Sequence, residues 1–241
     1  MNYYASLFAA GFAIVLFFSG CMKKYNEENM ADQEILLMKK KIFLDQSEIL
    51  FSKGNFLPED LSLFALHHSE WKVEDGWLIG KNPGNHPGMA ILKQDFSGNI
   101  LVEFTARTVS PSTHDINVMW NGEWIDSLDQ RGTAYVAGLE GWWTGKVGIE
   151  KSPDYTFMLG TPLFDFVPGK SYRIRAGSID GHCFILADGK LLLEGMDPDP
   201  VDNSKFTKVG FEAYSSQISL KDVVIRRIRW VPVDMRYEPE F

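Results

Sequence analysis

From about residue 48 onward the side chains alternate in polarity with a period of two. ILVEFTART (Ile100–Thr108) sets Ile100, Val102, Phe104 and Ala106 against Leu101, Glu103, Thr105 and Arg107. DINVMW at 115–120 sets Ile116, Val118 and Trp120 against Asp115, Asn117 and Met119. SYRIRAG at 171–177 and VGFEAY at 209–214 repeat the pattern, with Arg173, Arg175, Glu212 and Tyr214 on the polar side. Neighbouring side chains of a strand point to opposite faces, so the repetition predicts antiparallel sheets with one face buried. Asp-Gly pairs in EDGW (74–77) and ADGK (187–190) sit between apolar stretches, the strongest short-range hairpin signal. No segment of this body carries a sustained 3.6-residue stripe. The expected class is all-β, with about twelve strands in a jelly-roll sandwich of two antiparallel sheets over residues 47–231. Residues 232–241 read as a tail.

Charge narrows the partners. The 241 residues carry a formal net charge of −8 and no run rich in Lys or Arg. Nucleic acid is therefore not an expected partner, because phosphate binding needs a basic footprint. Two cysteines, Cys21 and Cys183, imply no disulfide framework. Cys183 falls within an apolar strand and reads as a core thiol.

Aromatic residues, by contrast, exceed what a core of this size requires, and two of the seven tryptophans are adjacent. GLEGWWTGKVG (138–148) places Trp142 and Trp143 among glycines. On a strand one ring would leave the core. In a loop both could, forgoing burial of ~150–250 Å² each. A flat, half-exposed ring suits the C–H face of a pyranose, and the alternative is a ring folded back over the core.

The first 46 residues differ. The apolar run LFAAGFAIVLFF (7–18) is shorter than the ~20 residues of a spanning helix and matches the hydrophobic region of a secretory signal. The FSGC that ends it resembles the lipobox of bacterial lipoproteins, which implies cleavage and lipidation at Cys21 and hence residues 1–21 as the signal peptide. The segment before the run, MNYYAS, has no Lys or Arg, and an uncleaved signal anchor is the alternative. On the lipoprotein reading the chain is held at the bacterial cell envelope, on the periplasmic or outer-membrane surface, with the membrane as partner through its anchor. Residues 22–46 are charged and free of Gly and Pro, and read as a tether with one short helix around Ile35–Leu37.

Three stretches carry a wider resemblance: WKVEDGWLIG (71–80), FVPGKSYRIRAGSIDGHCFILADGKLLLEGMDPDP (166–200) and VGFEAYSSQISLKDVVIRRI (209–228). They resemble the opening hairpin and closing strands of concanavalin A-like, or laminin-G-like, jelly rolls. The resemblance is closest to the 3-keto-disaccharide hydrolase-type domain and related domains of bacterial polysaccharide-utilisation lipoproteins. It implies a carbohydrate ligand or substrate held in a groove on the polar face of a concave sheet. For the hydrolase-type domain it further implies cleavage of an oxidised sugar by proton abstraction beside the keto group.

Such a groove would draw on Arg107, Asn117, Trp124, Arg173, Arg175 and Tyr214 for binding, together with Trp142 and Trp143. Amides and carboxylates fix sugar hydroxyls because each takes part in more than one hydrogen bond. The candidate catalytic groups are Asp115, Glu140 and Glu212, with His114 as an acid or base near neutral pH. Glycoside hydrolysis wants two carboxylates about 5–10 Å apart. The E-x-D-x-x-E strand motif of retaining glucanases does not occur here, and the acids of EWIDSLD (123–129) read as a solvated turn. An enzyme on a saccharide derivative and a non-catalytic glycan-binding module both remain open, with a protein-interaction sandwich third. MDPDPVDN (196–203) offers Asp197, Asp199 and Asp202 as oxygen donors, and calcium is the candidate metal. The spacing is not that of a calcium loop, so a plain acidic turn is the competing reading. The adjacent His67 and His68 would face opposite ways on a strand, which disfavours zinc.

Overall fold

The computed structural model describes residues 33–141 and 146–234. They fall into two compact units, a large one of residues 47–228 and a small one formed by the flanking segments. The leader with Cys21, the Trp142–Trp143 pair and the last seven residues lie outside the described residues.

The small unit holds β1 (Glu34–Leu37) and β2 (Lys40–Phe43) as an antiparallel hairpin. A late strand, Trp230–Pro232, adds to the free edge of β2. The short helix expected around Ile35–Leu37 is therefore a strand. The reason lies in the burial: Ile35 and Leu37 are buried while Leu36 is exposed. That is a period of two, which a three-residue apolar cluster does not distinguish from a helical turn.

The large unit is built from β3 (Glu48–Lys53), β4 (Phe64–His67), β5 (Glu70–Glu74), β6 (Trp77–Asn82), β7 (Gly88–Leu92), β8 (Ile100–Thr108) and β9 (Ile116–Gly122). It continues with β10 (Trp124–Ile125), β11 (Gln130–Arg131), β12 (Ala134–Leu139), β13 (Val147–Ser152) and β14 (Met158–Thr161). The closing strands are β15 (Tyr172–Ile179), β16 (His182–Ala187), β17 (Lys190–Met196), β18 (Lys208–Ala213) and β19 (Ser216–Arg227), and β20 is the Trp230–Pro232 strand of the small unit. One sheet has the order β14-β13-β12-β9-β18-β7-β4. The other runs β17-β16-β15-β8-β19-β6-β5, with β3 on the second half of β19. Every pairing is antiparallel.

The two sheets close on one apolar core. Phe104 of β8 meets Phe211 of β18 edge-on at 5.1 Å. Trp120 of β9 buries its ring there, and its indole N–H donates to Ser178 Oγ of β15 at 3.0 Å, as a buried donor requires. Cys183 is buried in the same core. The all-β jelly-roll sandwich expected from the alternation is what the chain forms.

The two Asp-Gly signals are hairpin turns, Glu74 facing Trp77 and Ala187 facing Lys190. Both residues of each turn have positive φ (Asp75 51°, Gly76 78°; Asp188 49°, Gly189 79°), the geometry that matches strand twist. Asp180-Gly181 makes a third such turn between β15 and β16.

One expectation fails in an instructive way. The face of β9 that turns from the core was expected to be solvated, yet all seven residues of β9 are buried. The segment 122–133, which contains β10 and β11, returns over the outside of the seven-stranded sheet. There Trp124 packs on a second small cluster of Met89, Ile91, Met119, Ala134 and Val136.

Candidate functional site

Partners across antiparallel strands share a face, so register alone places the outer surface of the seven-stranded sheet. Gly160, Gly148, Gly138, Asn117, Glu212, Met89 and His67 lie in one transverse row across its seven strands. Three successive glycines leave three of its seven positions without side chains. At ~4.8 Å per strand the bare stretch is about 10 Å long. It ends against Asn117, whose Oδ1 lies where a Cβ on Gly138 would stand, 1.8 Å away. Only glycine admits so close an approach.

Asn117 belongs to a buried polar cluster. Its amide donates to Asp115 Oδ1 at 2.8 Å, and the Tyr214 backbone N–H donates to Asp115 Oδ2 at 2.5 Å. The backbone N–H of Asp115 in turn donates to the Glu140 carbonyl at 3.0 Å. Asp115 has φ 75° and Glu140 φ 51°, left-handed conformations that side-chain-bearing residues adopt at a cost.

Next to them Arg131 enters from β11. Its guanidinium donates to Glu212, to Glu150 at 3.1 Å and to Ser152 Oγ at 3.2 Å. Asp115, Glu150, Glu212 and Arg131 are each less than 8% exposed. One guanidinium thus faces three buried carboxyls. Burial, reinforced by the charge of Glu212, pushes Asp115 well above the usual carboxylate range. Burial pushes Glu150 up to about 8 against the pull of Arg131, with Glu212 and Asp115 adding to the rise. Desolvation and like charge disfavour the ionised form, so part of this cluster is protonated at neutral pH.

A hollow of about 30 Å³ opens over the cluster, lined by Asn117, Gly138, Gly141, Lys146, Gly148 and Glu150 among others. It has room for a water or one hydroxyl, not for a ring. Gly141 and Lys146 flank Trp142 and Trp143 in sequence, and Glu140 N–H to Lys146 C=O (2.9 Å) closes the described base of that loop.

Of the residues singled out in the sequence, Asp115, Asn117 and Glu212 meet in this cluster. Tyr214 and Glu140 join it through their backbones, and the Tyr214 hydroxyl bonds instead to the Asn85 carbonyl. His114 precedes Asp115 and is half-buried. The Trp124 ring stacks on His67, the last member of the transverse row, at 4.0 Å and tilts against His68 at 5.6 Å. His68 has φ 55°, which ends strand alternation after His67 and lets both rings reach Trp124. The expectation that they face opposite ways is corrected accordingly.

Arg107, Arg173 and Arg175 do not line this site. They stand on the outer face of the eight-stranded sheet, across the core from Asp115. Arg175 and Arg173 both bind the Glu103 carboxylate there. Alternation separates core from non-core side chains, but both sheets have a non-core face and their sequence patterns are the same.

Asp197, Asp199 and Asp202 do not converge on a cation site. Asp197 accepts from Tyr135 Oη at 2.9 Å and pairs with Lys151 at 3.0 Å, and Asp199 lies 3.5 Å from the same ammonium. Asp202 caps its own turn through Ser204. Lysine supplies the positive charge, and no group of three or more metal-ligating side chains occurs among the described residues.

Arg131 and Glu150 escaped sequence reading. Glu150 carried a signal, since VGIEKS alternates Val147 and Ile149 against Gly148 and Glu150. Arg131, in the loop-like QRGT, carried none.

The two sheets and their order define a galectin-like, concanavalin-like β-sandwich. No protein-family model matches the sequence, and no curated protein does. Among solved structures, the chain is similar to a Bacillus subtilis protein of unknown function with a galectin-like fold (TM-score 0.60, 14% identity, 75% of this chain and 96% of that one). It is similar to the carbohydrate-binding module CBM66 from Bacillus subtilis (TM-score 0.52, 13% identity, 68% of this chain and 95% of that one). A protein from Parabacteroides distasonis, named provisionally as a glycosyl hydrolase, aligns with a TM-score of 0.51 and 16% identity over 73% of this chain and 99% of that one. At such identities the likeness is one of fold.

Proposed function

We propose that the large unit is a saccharide-binding domain whose ligand lies across the outer face of the seven-stranded sheet. The observation that carries this reading is the row Gly160–Gly148–Gly138 ending at Asn117 and Glu212. A glycine floor lets a ring approach the backbone closely, and the polar cluster at its end supplies donors and acceptors that fix orientation. The hollow beside Glu150 admits a single hydroxyl, so the sugar lies on the surface rather than sinking into it. Trp142 and Trp143, which follow β12 and precede β13 in sequence, are proposed as the apolar platform for the C–H face. Likeness in fold to a carbohydrate-binding module supports this reading.

A second reading, glycoside or 3-keto-disaccharide hydrolysis, is favoured by one observation. Glu150 borders the hollow with its carboxyl held to about 8, which keeps it a proton donor at neutral pH. Chromatographic product analysis separates the two. The protein is incubated with plant, algal and host glycans and with 3-keto-disaccharides, with and without calcium. Binding to a panel member without new products establishes the binding domain, and products lost in Glu150→Gln establish the enzyme. No binding and no products would overturn both.

The chain is further proposed to be displayed at the bacterial cell envelope through a lipid on Cys21. Metabolic labelling with a fatty-acid analogue should mark the wild type and not Cys21→Ala. Equal labelling of the two would refute the anchor.

A further inference from the structure

The opposite face of the sandwich carries a different chemistry. On the outer side of the eight-stranded sheet, Lys221 of β19, Thr105 of β8 and Arg173 of β15 follow one another across three strands, and the ring of Trp77 of β6 lies beside Lys221. Arg107 lies one row away, with its guanidinium 4.4 Å from the Trp77 ring centroid, and Lys221 Nζ lies 4.9 Å from the same centroid. Arg107 Nε donates to Ser219 Oγ at 3.2 Å. No described carboxylate comes within ion-pair distance of Arg107. Held over the ring and anchored at Nε, the guanidinium keeps its two terminal nitrogens as a fork, the geometry that takes an oxyanion with two parallel hydrogen bonds. Among the described residues, the one carboxylate within ion-pair distance of Lys221 is that of Asp222, at 3.9 Å.

Beside this stack a cleft of about 400 Å³ opens where β19 shifts register between Lys221 and Val224 and exchanges β6 for β3 as neighbour. Its walls include Lys53, Thr105, Arg173, Glu103 and Asp222. The volume is on the scale of a small-molecule pocket, and Thr105 belongs to both cleft and row. Lys53 is paired with Asp60 and Arg173 with Glu103, which leaves Arg107 and Lys221 as the least neutralised cations here, on a chain whose net charge is −8.

We propose that this face is a second binding site, for an acidic polysaccharide. A sugar ring occupies the cleft, and its carboxylate or sulfate is received by Arg107 and Lys221 on the Trp77 platform. Charge complementarity selects the oxyanion. A lipid surface fits less well, because none of the exposed large apolar side chains lies on β6, β8, β15 or β19. Nucleic acid fits less well because Glu74, Glu103 and Asp222 interrupt the cations. The site is independent of the glycine row on the other sheet.

The test is the affinity of the full chain, in detergent, for polygalacturonate and a sulfated galactan. Neutral galactan, phosphatidylglycerol vesicles and single-stranded DNA run alongside. Binding to an acidic polysaccharide should weaken at least about tenfold in Arg107→Gln and in Lys221→Gln, and fall steeply with salt. Arg107→Lys, which keeps the charge and loses the fork, should fall in between. Asp115→Asn, on the opposite face, should leave this affinity unchanged, and thermal melts should show the variants folded. The proposal is overturned if the Arg107→Gln/Lys221→Gln double variant binds as the wild type does. It is overturned equally if no acidic polysaccharide binds, if neutral galactan binds as well as the acidic ones, or if only vesicles or DNA bind.

Discussion

Asn117 Oδ1 occupies the space above Gly138 that any larger residue's Cβ would need, at 1.8 Å. The asparagine is held there from behind, because its amide donates to Asp115. A glycine on one strand and an amide on the next therefore shape the end of the bare row together.

Gly138→Ala should force Asn117 out of that position and destabilise the domain by about 1–3 kcal/mol, the usual cost of overpacking. It should also abolish saccharide binding at this face. Urea unfolding with Asn117→Ala and the double variant checks the coupling. If the two effects simply add, the two residues do not compete for the space.

Arg131 is the cation of the buried cluster. Arg131→Met should cost about 3–5 kcal/mol at neutral pH, since it strands the Glu212 charge. Adding Glu212→Gln should recover much of that loss, because no unpaired charge then remains. A double variant as unstable as the single one would show that the arginine acts through packing.

The raised carboxyls predict a direction for pH. Glu150 stands at about 8 when folded and near 4.5 in an unfolded chain. Between those values the folded state binds the extra proton, so stability is greatest below about 4.5 for this group and falls as pH rises to about 8. Asp115, raised by the same causes, acts in the same sense. Glu150→Gln should flatten the fall in melting temperature between pH 5 and 8 and raise stability at pH 8. An unchanged slope would mean that Glu150 ionises normally.

Trp142→Ala or Trp143→Ala should weaken glycan affinity at least about tenfold, roughly 1.4 kcal/mol, without unfolding the domain. Titration calorimetry with a bound panel glycan measures it. Unchanged affinity in both variants would remove the platform, and loss of the fold would mean that a ring belongs to the core.

Much of the fold was legible in the chain. Alternation put Ile100, Val102, Phe104 and Ala106 in the core, where they are. The Asp-Gly pairs marked real turns, because only a few residue types tolerate positive φ at both positions. The short cluster at Ile35–Leu37 misled, since three apolar residues do not define a period.

The site was half legible. Asp115, Asn117 and Glu212 could be paired in thought because each opposes core residues on its strand. Arg131 could not, because its role comes from a loop that folds back over the sheet and makes contacts 81 residues away in sequence. Local sequence therefore determined the strands, the turns and which side chains avoid the core, since these follow from backbone geometry and the period of two. Only the tertiary structure decided which sheet each of those side chains faces out from. It alone set Arg107, Arg173 and Arg175 across the core from Asp115, and buried three carboxyls around one guanidinium. Strand order and loop return are set by packing between distant segments, and two outward faces with the same alternation look alike until the sheets are assembled.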